Sequence, residues 1–369
     1  FFNVGFINNL KIRGGWGKTG NQEFPSGSSQ GRYGLSASGT TVRLTRLNNP
    51  NDDLIWQADR QYNIGADISF WNNRIAVTMD YFNKRTEDLL FPSFPAQPAA
   101  PGAPIKWINL PGHIDNSGFE ITVNASLINK PDMDWVINVN AAFLKNEVSG
   151  LTTGIPTGDL DGQDITGTQV QMITNDQPMN VFYTRDFLGM DKATGEAIYR
   201  DEGDRFFYVG NPNPDAIAGL STTFRWKKLS LNAAFNGAFG HDIYNNTLNN
   251  VINVGNIKGG RNIALSVYED PVKESFGNRV TASSRFLEKG SYVKLANATL
   301  SYDLGSIAKT FRNVNVFVTG QNLFVITDFS GFDPEVNVDK RSNDVPSVGI
   351  EYIPYPSART ITFGVNFSL

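Results

Sequence analysis

Residues Arg359 to Leu369 read RTITFGVNFSL, in which Ile361, Phe363, Val365, Phe367 and Leu369 alternate with Thr360, Thr362, Gly364, Asn366 and Ser368. Period-two alternation puts the first set on one face of a β-strand and the second on the other. A face made only of large apolar side chains must be covered, either by a second protein layer or by lipid.

The pattern recurs upstream. YNIGADISF (62–70) sets Ile64, Ala66, Ile68 and Phe70 against Asn63, Gly65, Asp67 and Ser69, and IAVTMDYFNK (75–84) continues it after the Asn72-Asn73 pair, which suits a tight hairpin. GFEITVNASL (118–127), the Trp135 to Phe143 segment, IAGLSTTFRW (217–226) and LSLNAAFNGAF (229–239) alternate in the same way. YVKLANATLSYDL (292–304) is less regular, because Val293 and Leu295 are out of phase with Ala296, Ala298, Leu300 and Tyr302. With NVNVFVTGQNLF (313–324) and LKIRGGWGKTG (10–20), the chain offers about ten strands.

The joins between these strands alternate in length. Those at Asn72-Asn73, Lys130 to Asp132, Lys227-Lys228 and Ser306 to Arg312 are short. Those at 20–60, 88–117, 147–216, 242–291 and 325–358 are long. Consecutive antiparallel strands place their joins at opposite ends, so all the long joins gather on one rim, as in a transmembrane barrel. The longest contains FYTRDFLGMDKATGEAIYRDEGDRFFYVG, which is expected to form small hairpins around the Lys192 to Glu196 turn.

Composition narrows the function. Abundant Gly (35) and Phe (26) favour strands and turns, and a net charge of −4 without a basic stripe leaves no footprint for nucleic acid. The absence of cysteine excludes disulfides and cysteine zinc sites, and only His113 and His241 are present. No run of 18 apolar residues occurs, which excludes a membrane helix but says nothing against a barrel. GLSASGT (34–40) is not a nucleophile elbow, and GGWGKTGNQ (14–22) lacks the first glycine of a phosphate loop, so no enzyme constellation emerges.

Two acidic clusters are metal candidates. Asp159, Asp161 and Asp164 flank Gly162 in GDLDGQDITG and could ligate Ca²⁺ or form a solvated acidic loop; Asp201, Glu202 and Asp204 have Arg200 and Arg205 beside them as neutralising partners. No other cofactor is expected.

Specific blocks go further than periodicity. LKIRGGWGKTGNQ (10–22), the segment NPNDDLIWQADRQYNIGADISFWNNRIAVTMDYFNKRTEDLL (49–90), NSGFEITVNASLINKPDMDW (116–135) and SSRFLEKGSYVKLANATLSYDL (283–304) follow one another along the chain. GQNLFVITDFSGFDPEV (320–336), with Gly331-Phe332-Asp333-Pro334-Glu335, and YPSARTITFGVNFSL (355–369) complete the set. In this order they closely resemble the C-terminal portion of the SusC/RagA family of TonB-dependent outer-membrane transporters of Bacteroidetes.

The resemblance implies an all-β fold, the C-terminal portion of a large transmembrane antiparallel barrel of about 22 strands. Residues 1–369 would form its C-terminal barrel segment, with the plug domain, the TonB box and the earlier strands upstream. It further implies localisation in the outer membrane, contact with outer-membrane lipid, a SusD-like surface lipoprotein as lid, and energy delivered by TonB, ExbB and ExbD through the absent N-terminal region. A dimer of transporter–lipoprotein pairs is a further arrangement to expect. The last strand, with Ile361, Phe363, Val365, Phe367 and Leu369, resembles the family's closing strand and insertion signal, although Leu369 stands where Phe is frequent.

The implied cargo is a glycan or an oligopeptide. Trp107, Phe182, Tyr183, Phe187, Phe206, Phe207, Tyr208 and Tyr244 lie in the long joins and suit either ligand, or else packing that keeps those loops ordered. The function expected is barrel wall and ligand vestibule of an active importer. A passive porin-like barrel and a soluble β-sheet glycan-binding or adhesion domain are the alternatives.

Overall fold

The computed structural model describes every residue except 1–4, 22–24, 94–102, 163–164, 277, 279–280, 308–309, 336, 343–344 and 369. Leu369 and Asp164 thus lie outside the described residues.

The alternating segments form ten long strands: β1 (Ile7–Asn21), β2 (Gln57–Phe70), β3 (Ile75–Ser93), β4 (Ile105–Lys130), β5 (Met133–Ser149), β6 (Ala216–Trp226), β7 (Leu229–Phe239), β8 (Tyr292–Ile307), β9 (Phe311–Thr327) and β10 (Thr360–Ser368). They pair in sequence order, each antiparallel to the next, as one continuous meander. The tight turn between β2 and β3 holds Trp71, Asn72 and Asn73 all at positive φ. Asparagine tolerates this, and the Ser69 hydroxyl donating to Asn73 Oδ1 at 2.7 Å steadies the turn.

Register carries the alternation across the sheet. Residues directly opposite one another share a face, so Val77, Val123, Val139, Leu220 and Phe235 form one apolar row. Ile64, Tyr81, Phe119, Phe143, Ala216 and Phe239 form another. Beyond it the same face turns polar, through Arg60, Arg85, Asp115 and Glu147, where Arg85 grips Asp115 through two bonds of 2.7 and 2.9 Å. An apolar band bounded by a charged row is what a sheet crossing hydrocarbon and emerging into water requires.

Among the described residues no second layer covers this face. Ile361, Phe363 and Val365 are 59%, 80% and 57% exposed, which removes the soluble sandwich, whose core would have buried them.

The irregular stretch in β8 has a physical cause. The register shifts at Ala296, which is bulged out between Leu295 and Asn297, opposite Asn322-Leu323 of β9, where Asn322 takes a positive φ. One extra residue reverses the phase, so Val293 and Leu295 face the same side as Ala298 and Leu300 after all.

The expectation of a long loop over 88–117 is corrected. β3 and β4 stay paired up to Ser93 and Lys106, past a second bulge at which Asp88 and Gly112 both take positive φ. The bulge breaks the alternation that sequence reading follows, and the ladder resumes beyond it.

The hydrophobic core of the molecule lies in the loops rather than in the wall. Leu160, Ile165, Val170, Phe182, Tyr244, Ile252, Phe286 and Ile350 pack as one cluster, drawn from the three joins 150–215, 240–291 and 328–359. A four-stranded sheet of 155–159, 169–173, 181–184 and 207–210 lies in the first of these joins. A smaller sheet pairs 242–245 with both 287–289 and 350–351, tying the second join to the third. The hairpin expected around Lys192 to Glu196 forms between 187–190 and 197–199.

Candidate functional site

The inner face of the wall is lined by amides, hydroxyls and paired charges. Arg13 donates to Asp67 at 2.9 and 3.1 Å and to Asp80 at 2.8 Å, bridging three neighbouring strands. Asn138 and Asn124 are hydrogen-bonded to each other, and Thr299 and Thr319 lie 2.8 Å apart. Charges placed here neutralise one another within a polar lumen instead of facing lipid.

Where this face meets the loop body there is a cavity of about 380 Å³ between Phe82, Asn116, Leu144 and Asn146 of the wall and the 211–215 segment. Its amides are oriented by mutual contacts. Asn146 donates to Asn116 Oδ1 at 2.6 Å and accepts the Met179 N–H at 2.7 Å, while Asn213 donates to the Met179 carbonyl at 2.7 Å. Fixed amides beside an aromatic ring suit a polar ligand rich in hydroxyls or peptide groups. Sequence reading passed over these residues, although Asn116 and Asn146 fall on the polar side of their strands.

The Gly331 to Glu335 segment, to which sequence reading assigned no chemistry, forms a clamp. Buried Lys294 of β8 pairs with Glu335 and lies 3.9 Å from Asp333, while Tyr292 donates to Glu335 at 3.1 Å and Asn236 at 2.5 Å. Asp333 also accepts from the Glu335 N–H at 3.0 Å and from Ser357 at 2.5 Å. The join 328–359 is thereby pinned to the inner wall.

The eight candidate aromatics separate into groups. Phe182 and Tyr244 are fully buried, with ring centroids 6.2 Å apart, and Tyr244 packs equally close to Phe286. Both are corrected from ligand contacts to core residues, since a ring without access to solvent cannot meet cargo. Burial raises the Tyr244 phenol well above its usual range, and the hydroxyl is occupied by Asn249 at 2.8 Å. Trp107 is corrected from loop to strand, since it lies in β4 with its carbonyl held by Asn51.

Phe187 and Phe207 are each covered by a guanidinium, from Arg285 at 5.4 Å and Arg200 at 4.7 Å. Tyr183, Phe206 and Tyr208 form a cluster on the rim, with centroids 5.7 and 5.0 Å from Tyr183; Phe206 also carries the Arg185 guanidinium at 5.0 Å, and Phe206 and Tyr208 keep a face open to solvent.

Of the candidate calcium ligands, the Asp161 carboxylate is paired through Oδ2 with buried Lys340, whose ammonium also lies 4.2 Å from the Tyr352 ring centre. Asp159 lies in the 155–159 strand, and Asp164 is outside the described residues. In the second cluster Arg205 meets Asp201 at 3.7 Å. The histidines are apart: His113 lies 3.4 Å from Asp115 on the wall, and His241 is buried in the loop body, where desolvation lowers its pKa.

A bare apolar band, a polar inner face and a folded cap on one rim define the wall of a membrane-spanning β-barrel. The family model described as "TonB dependent receptor-like, beta-barrel" matches residues 1–323. The TonB-dependent receptor P3 of Formosa agariphila is 28% identical over 404 residues, and SusC of Bacteroides thetaiotaomicron is 26% identical over 394; the chain is covered to 98% in both. The solved RagAB peptide transporter superposes with a TM-score of 0.80 at 20% identity, over 98% of this chain and 41% of that one. The chain therefore belongs to the TonB-dependent receptor-like β-barrel family. It spans 39% of the length of P3 and 38% of SusC.

Proposed function

We propose that this chain supplies the wall and the outer vestibule of an active importer that takes oligosaccharides or oligopeptides across the outer membrane. The observation that carries the reading is the fusion of three outer joins into one body with its own core, seated over an amide-lined recess of the inner wall. A non-selective pore needs no such structure.

The remainder of the barrel and a plug would come from other parts of the same polypeptide, which the greater length of the relatives supports. So does the sheet itself: β1 and β10 each pair on one side only among the described residues, and unpaired strand edges in hydrocarbon cost several kcal/mol per group. A SusD-like lipoprotein closing the rim and TonB, ExbB and ExbD driving the plug complete the proposal. RagAB, described as a peptide importer, favours peptide cargo, while likeness to SusC leaves glycans in play.

The test is uptake of labelled oligopeptides and oligosaccharides by cells carrying the full-length receptor and its lipoprotein. Import that stops on deletion of TonB and on collapse of the proton gradient supports the reading. Import that persists in both conditions establishes the passive porin.

A further inference from the structure

At the end of the wall away from the loop body, the β6–β7 hairpin closes through Lys227-Lys228, between the directly paired Trp226 and Leu229. Trp226 lies opposite Met133, Leu229 opposite Tyr302, Tyr302 opposite Val316 and Val316 opposite Val365, so these side chains share one row of the outward apolar face. A groove of about 580 Å³ opens here. Trp226, Leu229 and Tyr302 line it from the apolar row, and Arg225, Lys227 and Lys228 line it from the hairpin. Asp132 of the neighbouring turn is the one carboxylate among its described lining residues.

The cations of this groove are fixed in place and uncommitted. The Lys227 N–H donates to the Asp132 carbonyl at 2.7 Å, and the Lys228 carbonyl accepts the Asp303 N–H at 2.8 Å, so the turn is tied to both neighbouring strands. Both lysines are exposed, and among the described residues neither ammonium is ion-paired. The Lys227 ammonium stands 5.9 Å from the Trp226 ring centre, and Arg225 donates to the Pro131 carbonyl at 3.3 Å. Lys227 takes a φ of 52°, which asparagine or glycine would hold at lower cost, so a lysine at this position points to a use for its charge. The β2–β3 turn, Trp71 to Arg74, and the β4–β5 turn, Pro131-Asp132, carry no such adjacent pair of cations.

We propose that this groove binds an anionic glycerophospholipid of the leaflet at the short-turn end, with the phosphate between Lys227 and Lys228 and an acyl chain along Trp226, Leu229 and Tyr302. Charge complementarity selects the headgroup, since three cations face one carboxylate where the apolar face meets the membrane surface. Continuity with the apolar band selects a lipid over a soluble anion: an anion alone would use the lysines and leave half-exposed Trp226 and Tyr302 uncovered, whereas aromatic rings at headgroup level lie against glycerol and upper acyl chain. A headgroup held there fixes the depth of the wall in the membrane from the end opposite the cap. The site depends on the outward face meeting lipid and is independent of cargo and of energy coupling.

The experiment is native mass spectrometry of the full-length receptor in detergent micelles, titrated with dioleoylphosphatidylglycerol and with dioleoylphosphatidylcholine, which share acyl chains and differ in net charge. The anionic lipid is expected to bind about fivefold more tightly or better, the step that one lysine near a charged headgroup supplies. The double variant Lys227→Gln, Lys228→Gln is expected to lose that preference. Trp226→Ala, which leaves both lysines in place, is expected to weaken both lipids several-fold and keep their ratio, so a defect in one variant does not decide the result. Lys18→Gln, on the same outward face beside Arg60 at the loop-bearing rim, is expected to leave the ratio unchanged. Equal affinity of the wild type for the two lipids, or a preference that survives the double variant, overturns the site. An equal fall in Lys18→Gln overturns it in favour of diffuse surface charge, and glycerol 3-phosphate binding as tightly as the anionic lipid overturns it in favour of a soluble anion.

Discussion

The wall and the loop body solve opposite problems. In the wall, neighbouring strands are joined by long backbone ladders and the large apolar side chains remain outside, as with Phe363 at 80% exposure, because lipid serves as their solvent. In the loop body the ladders are short and the apolar side chains turn inward around Tyr244 and Phe182, because water surrounds it. One chain thus carries two kinds of stability, and each should fail to its own kind of substitution.

The largest effect is expected in the loop core. Phe182→Ala removes a ring packed between the first and second joins and should cost about 3–5 kcal/mol. Hydrogen exchange should show protection lost across 155–184 and 242–288 while β2 to β5 remain protected. Uniform loss across wall and cap would mean that the two fold as a single unit and would break the comparison.

Next is the lipid face. Ile121→Arg places a cation in the middle of the apolar band and should cost about 2–4 kcal/mol of folding stability in bilayers. Thr122→Arg, one residue on and facing the lumen, should cost far less. Equal costs at the two positions would contradict the assignment of faces.

How much of this was legible follows from the same contrast. The wall could be read because period two is a local signal, visible within nine residues of YNIGADISF, and register merely propagates it. Reading failed where a single residue slipped, at Ala296 and Asp88, since a bulge inverts the phase without any distinctive residue type. The loop body was illegible for another reason. Leu160, Tyr244 and Ile350 meet across some 190 positions of sequence, and none belongs to a periodic run. Hence Phe182 and Tyr244 looked like rim aromatics, while Asn146 and Lys294, which build the vestibule, looked like ordinary strand residues.

A smaller effect is expected at the seam. Lys294→Ala leaves Asp333 and Glu335 facing each other without their cation and should cost about 2 kcal/mol, less than a fully buried pair because Glu335 is partly open to the lumen. Limited proteolysis should then cut within 328–359 ahead of the rest of the cap. Resistance equal to wild type would show that the clamp is dispensable.

The smallest effect is a pH response confined to the 187–199 hairpin. Asp191 accepts the Ala193 N–H at 2.7 Å and lies 3.4 Å from the Thr194 N–H, and these two amides hold its pKa below the usual carboxylate value. A carboxylate whose folded pKa is depressed stabilises the fold at every pH above its unfolded value of about 3.9 and ceases to do so as pH falls through the folded value. The turn should therefore be pH-independent from neutrality down to the ordinary carboxylate range and then loosen on further acidification. Asp191→Asn keeps an acceptor at the position but removes the charge, so it should flatten that response with little change at neutral pH. Amide exchange at Gly195, whose N–H donates to the Asp191 carbonyl, and at Asp191, whose N–H donates to the Glu196 carbonyl, reports the event directly. Loosening that begins well above the carboxylate range, or that persists in Asp191→Asn, would assign the acid response to another group.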